Sequence, residues 1–184
     1  SLQSIDHEEK VIYLGTFSKS IAPSLRISYM VLPLHLLKKY QESCSFYSTT
    51  VSKIQQEVLR EFIRGVYFGR HLNKMRGIYK NKHDFLVGEL KKKNWVENIA
   101  GDNAGLHVLV QVNTTLTEEE ICKKAAECGI RLMGIREHYI HTPPEGRPVL
   151  LLGYGKPDEQ EIQKGLEVLE SIITGRNSNN CKKP

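Results

Sequence analysis

Three features of this 184-residue sequence point to an α/β fold. Hydrophobic residues make up 40% and charged residues 26%, outside the low-hydrophobicity, high-charge range in which chains stay disordered. Two β-rich apolar runs lie near the N-terminus and read as strands buried on both faces, as in a parallel or mixed sheet. Beyond about residue 101, capped helical patterns alternate with apolar strands, the signature of an α/β layer.

The elements follow in order. Val11–Phe17 is the first strand and Ile27–Pro33 the second. Two strands cannot complete a sheet of the size such burial needs. Residues 34–65 are helical in pattern, with Ile54, Val58, Phe62 and Ile63 at three- and four-residue steps and Ser52 as an N-cap. Gly65 and Gly69 punctuate that pattern, which resumes with Leu72, Met75, Ile78, Tyr79, Phe85, Leu86 and Leu90 over about five turns. Gly105–Val112 is a strand. Thr117 and Glu120 make a capping box for a helix that Gly129 ends as a C′ glycine. Arg131–Ile135 and Val149–Tyr154 are two further strands. Asp158 and Glu161 open a last helix carrying Ile162, Leu166, Leu169 and Ile173. The expected divisions are 1–34, a helical connection over 35–69, a small α/β domain over 70–175 and an unstructured tail over 176–184.

Composition excludes several classes of function. No apolar run reaches the ~18–20 residues of a membrane span. The acidic N-terminus lacks the apolar stretch of a signal peptide, so a cytoplasmic location is expected. Four cysteines at 44, 122, 128 and 181 do not make a disulfide framework, and reduced thiols are expected. Twenty-six Lys+Arg against 21 Asp+Glu leave a net charge of +5. The basic cluster over 70–93 reads as the solvated face of a helix, since no nucleic-acid-binding signature accompanies it. His138 and His141 have no completing Cys or carboxylate pair, so no metal site is expected.

The chemistry concentrates in Gly15-Thr16-Phe17-Ser18-Lys19-Ser20-Ile21-Ala22-Pro23-Ser24-Leu25-Arg26. A lysine at a strand end stands between hydroxyls, with an arginine seven residues on. Short hydroxyl donors, free backbone N–H groups and a forked cation suit a phosphate dianion. A lysine desolvated beside such a site becomes a usable nucleophilic amine. The bland alternative is a Ser/Lys-rich surface turn between two strands.

Thr16-Phe17-Ser18-Lys19 followed by Pro23-Ser24-Leu25-Arg26-Ile27-Ser28-Tyr29 resembles the cofactor-lysine segment of fold-type I pyridoxal-phosphate (PLP) aminotransferases. The fuller run from Val11 to Pro33 resembles the aminotransferase-like domain of MocR-type regulators of the GntR superfamily, and the related aminoadipate-type aminotransferases. Gln56–Phe62, Arg70–Tyr79 and Gly105-Leu106-His107 extend the likeness over residues 1 to about 173.

The resemblance implies the C-terminal part of the PLP-dependent transferase fold: large-domain strands carrying the cofactor lysine, then the small α/β domain. It implies that Lys19 holds pyridoxal 5′-phosphate covalently and moves the substrate α-proton, and that Arg26, Thr16 and Ser18 bind the phosphate. Many aminotransferases fork the substrate carboxylate with an arginine in the last strand. The corresponding position here is Leu151, leaving Arg147, just before that strand, as the substrate-binding candidate and Arg136 as another. Two functions stay open: the PLP-binding effector domain of a MocR-type transcriptional regulator, and part of a true aminotransferase acting between an amino acid and a 2-oxo acid. Arg70–Tyr79 and Leu151 favour the regulator. The resemblance further implies a homodimer, a small amine or amino-acid ligand, DNA contact only through an upstream domain, and no transamination by this chain alone.

Overall fold

The computed structural model describes residues 1–103, 105–142 and 145–175; the tail expected over 176–184 lies outside the described residues. The chain divides into two compact units, Ser1–Met75 and Arg76–Pro184.

The first unit opens with a short 3-10 turn, Leu2–Ile5, and a two-stranded ladder. Strand β1 (Tyr13–Thr16) pairs antiparallel with β2 (Ser28–Val31) in the register Tyr13↔Val31 to Thr16↔Ser28. The one-turn helix α1 (Phe17–Ser20) fills the connection. Helix α2 (Leu34–Cys44) and helix α3 (Lys53–Arg64) follow. One expectation is corrected here. The strands form an antiparallel pair in place of a doubly covered parallel or mixed sheet, and all four residues of β2 are exposed. The physical reason is partnership: no third described strand joins the ladder, and two strands alone cover neither of their faces. The helical pattern over 34–65 comprises α2 and α3, and Ser52 caps α3 as expected, accepting from the Gln55 N–H at 3.2 Å.

Helix α4 (Tyr67–Lys91) begins in the first unit and continues into the second, running two turns longer than its sequence pattern suggests and passing through Gly69. In the second unit the sheet order is β3 (Val96–Ala100), β4 (His107–Val112), β6 (Val149–Gly153), β5 (Met133–Gly134), every neighbouring pair antiparallel. Helix α5 (Glu118–Glu127) connects β4 to β5, and α6 (Glu159–Thr174) follows β6. Strand β3 was not legible in the sequence, since a register shift between Val96 and Asn98 breaks its alternation.

Alternate residues of β4 and β6 point into one core: Val108, Val110, Val112, Leu150 and Leu152 pack with Leu86 and Leu90 of α4, Ile121 of α5, and Ile162, Leu166 and Leu169 of α6. The predicted capping boxes are both present, at Thr117/Glu120 and Asp158/Glu161. Gly129 has φ of 78°. Its N–H donates to Ala126 O at 3.0 Å and that of Ile130 to Ala125 O at 2.8 Å, the paired bonds of a Schellman ending. Cys44 and Cys122 are free thiols, whereas Cys128 is disulfide-bonded, which corrects the expectation of reduced thiols at that position.

Candidate functional site

The lysine segment is held by its own hydroxyls. At the end of β1, Thr16 is extended (φ −137°, ψ 136°) and its side chain accepts from the Ser18 N–H, capping α1. The same hydroxyl donates to Ile27 O at 3.3 Å, beside the Phe17 N–H bond to that carbonyl at 2.9 Å. Ser18 Oγ donates to Leu25 O at 2.6 Å, and Ser20 Oγ to Thr16 O at 3.3 Å. The Pro23-Ser24 turn closes with Leu25 N–H on Ala22 O at 3.0 Å. Residues 16–18 are thereby stitched to residues 25–27, and Ile27 is the one buried apolar side chain of the first unit.

On this stitched loop Lys19 and Arg26 are both exposed, and neither is in an ion pair among the described residues. Lys19 is therefore not a buried lysine in this structure. The hydroxyls of Thr16 and Ser18 spend their protons on Ile27 and Leu25 carbonyls and shape the turn.

Gly15 is required by space. Tyr29 lies directly across the ladder from it, and a Cβ at Gly15 would fall 2.3 Å from the Tyr29 ring. That ring lies 6.0 Å from Tyr13 and 5.0 Å from Phe17. A hydrogen bond with Tyr13 raises the Tyr29 phenol above its ordinary pKa, with burial adding to the effect.

Arg147 lies in the second unit, apart in sequence and in unit from Lys19. Its Nε is 3.3 Å from Glu97 Oε2, and its Nη1 donates to Asn113 Oδ1. The guanidinium thus links β3 and the end of β4 to the approach of β6. It also lines a cleft of about 900 Å3 with Thr117, Glu118, Cys122, Arg136 and Glu137. Burial pushes the Cys122 thiol up, and the charges of Glu137 and Glu118 add to it. Among the described residues no group of three His, Cys, Asp or Glu side chains could hold a metal ion, and no helix is long and apolar enough to cross a membrane.

Glu118 lies between the two capping-box residues, Thr117 and Glu120, and serves a different end. It is 6% exposed, and its two carboxylate oxygens accept from the Arg136 and Val149 N–H groups, each at 2.9 Å. A Cβ at Gly134 would collide with this carboxylate at 2.3 Å. The only local signal was a glutamate at the first position of a helix beside a strand glycine.

The family model for aminotransferase class I and II matches residues 2–163. An uncharacterized HTH-type transcriptional regulator of Bacillus subtilis, YdeL, is 38% identical over 172 residues, which are 93% of this chain and 37% of that protein. The probable rhizopine catabolism regulatory protein MocR of Rhizobium meliloti is 28% identical over 94% of this chain and 35% of its own length. Among solved structures, the α-aminoadipate aminotransferase LysN from Thermus thermophilus, complexed with N-(5′-phosphopyridoxyl)-L-leucine, superposes with a TM-score of 0.78 at 22% identity. It covers 95% of this chain and 44% of that one, a likeness of fold. The chain thus spans little more than a third of the curated regulators it matches.

Proposed function

This chain belongs to the aminotransferase class I and II family, and on that premise we propose that it is the C-terminal part of a PLP-binding effector domain in an HTH-type transcriptional regulator. The observation that carries the reading is the 38% identity to a B. subtilis HTH-type regulator across 93% of the chain. The fold of this family implies PLP.

The donor set of the first unit suits that group. PLP, when bound, supplies the electron sink for bond-breaking next to a substrate amine. Lys19 offers a primary amine for its aldehyde carbon, and Arg26 a forked cation for its phosphate. Thr16 and Ser18 frame the phosphate end by holding residues 16–18 against 25–27. With PLP held, the Lys19 amine would be the base for the α-proton of a ligand. In the second unit Arg147 is the guanidinium proposed to meet a ligand carboxylate, at the cost of its Glu97 and Asn113 partners. The proposed ligand is a small amine or amino acid, the assembly a homodimer, and DNA contact the task of an upstream domain. The proposed divisions are 1–34 in the large domain, 35–69 as the connection and 70–175 as the small domain. This chain alone is expected to bind without transaminating.

The test is an absorbance scan with added PLP, borohydride reduction and mass spectrometry of the Lys19 peptide. One stoichiometric adduct at Lys19, competed by inorganic phosphate and lost in Lys19→Ala, is expected. An unselective scatter of adducts over surface lysines overturns the cofactor assignment for this chain. The family match itself keeps an enzymatic parent in view, and the full-length gene decides: an upstream helix-turn-helix domain is expected, and its absence favours an aminotransferase.

A further inference from the structure

Of the two residues joining α3 to α4, Gly65 has an ordinary negative φ and Val66 an unfavourable backbone. Val66 has φ of 66°, in the left-handed region, where a β-branched side chain crowds the following carbonyl. It is 64% exposed, so burial of its own side chain does not offset that cost. Gly65 is fixed by space, since a Cβ there would lie 2.5 Å from the Tyr67 ring.

Rings hold the junction. Phe62 of α3 stacks on Tyr67 at 6.3 Å and 15°, and meets Phe68 and His71 edge-on at 6.3 and 6.2 Å. Phe68 meets Phe17 edge-on at 6.2 Å, and Phe17 lies 5.0 Å from Tyr29. These separations fall within the range in which aromatic pairs attract. Phe17 is the first residue of α1, two before Lys19. A continuous chain of rings therefore joins the lysine turn to the strained junction from which α4 departs.

Resting on the reading of Lys19 as the cofactor lysine, we propose that the Val66 junction is a strained hinge coupled to the Lys19 turn through Phe68, which acts as a positioning residue for that lysine. The Phe17–Phe68 contact ties α1 to the first turn of α4. Relief of the strain at Val66 and displacement of the Lys19 turn are then one event, so occupancy at Lys19 biases the hinge and the hinge biases Lys19.

Amide hydrogen exchange tests the coupling without any ligand. The Phe17 and Ile21 N–H groups, bonded to Ile27 O at 2.9 Å and Phe17 O at 2.8 Å, report on the turn. Val66→Gly admits the left-handed conformation without strain and is expected to change their exchange by about threefold or more. The change should vanish in a Phe68→Leu background and return with Phe68→Tyr, which keeps the ring. The rate of borohydride-trapped PLP addition at Lys19 should follow the same pattern. Unaltered exchange in Val66→Gly, or a change that survives Phe68→Leu, overturns the hinge. An adduct rate indifferent to Val66→Gly while the exchange responds overturns its regulation of Lys19. A chain with no selective Lys19 adduct loses the cofactor reading and the regulatory claim together, while the exchange result still decides the coupling.

Discussion

The two units spend a similar store of apolar side chains in opposite ways. Seventeen large hydrophobic residues of Ser1–Met75 are exposed, and Ile27 alone is buried. Among the described residues of the second unit, 17 apolar side chains are buried and four large ones are exposed. The difference lies in closure. In the second unit four strands present one apolar face to α4, α5 and α6, so each inward residue meets partners from distant parts of the chain. In the first unit a two-stranded ladder and two helices offer too few surfaces to close over one another. Its order rests on hydroxyl bonds around Lys19 and on a line of rings. Exposed apolar faces of this extent invite a covering partner, and oligomers are expected in light scattering at high concentration.

The contrast is broken most directly by truncation. Leu150→Ala, at a position with no exposed surface, should cost about 2–5 kcal/mol in urea denaturation. Ile54→Ala in α3, 77% exposed, should stay within about 0.5 kcal/mol. A comparable loss at Ile54 would mean that a partner covers that face. Glu118→Ala follows: it strands the Arg136 and Val149 N–H groups, for about 2–3 kcal/mol. A loss under about 0.5 kcal/mol would show water taking over both bonds.

Within the first unit, Gly15→Ala should displace the Tyr29 ring and cost about 1–2 kcal/mol. Near-ultraviolet circular dichroism should register the tyrosine change, and an unaltered spectrum would show slack in the ladder. The smallest effect is on the acid limb of stability. Hydrogen bonds from Thr117, first its backbone N–H and then its hydroxyl, hold the Glu120 carboxyl below its ordinary range. A lowered folded pKa contributes stability above the unfolded carboxylate value and loses it as pH falls through the folded one. Glu120→Gln should therefore flatten the fall of Tm below about pH 4.5. An unchanged slope would assign the acid limb to other carboxylates.

Local signals were read well where they were self-contained. The boxes at Thr117/Glu120 and Asp158/Glu161, the Ser52 cap and the Gly129 ending need only residues within a turn of each other. The family likeness was equally legible, because the Lys19 segment carries it in consecutive residues. Strand β3 escaped because one bulge shifts its period. The β1–β2 runs read as doubly buried because an apolar run carries no record of whether anything lies against it. Phe68 went unread, because its contact with Phe17 spans 51 residues.

Sequence alone therefore settled the caps, the order of most elements and the family likeness. Tertiary structure decided which apolar residues are buried, that the Thr16 and Ser18 hydroxyls serve carbonyls at Ile27 and Leu25, that Glu118 ties β6 to α5, and that rings link the Lys19 turn to Val66. The physical reason is range. Propensity, capping and periodicity act between residues a few positions apart, whereas burial and hydrogen-bond choice depend on surfaces that meet only once the chain has folded.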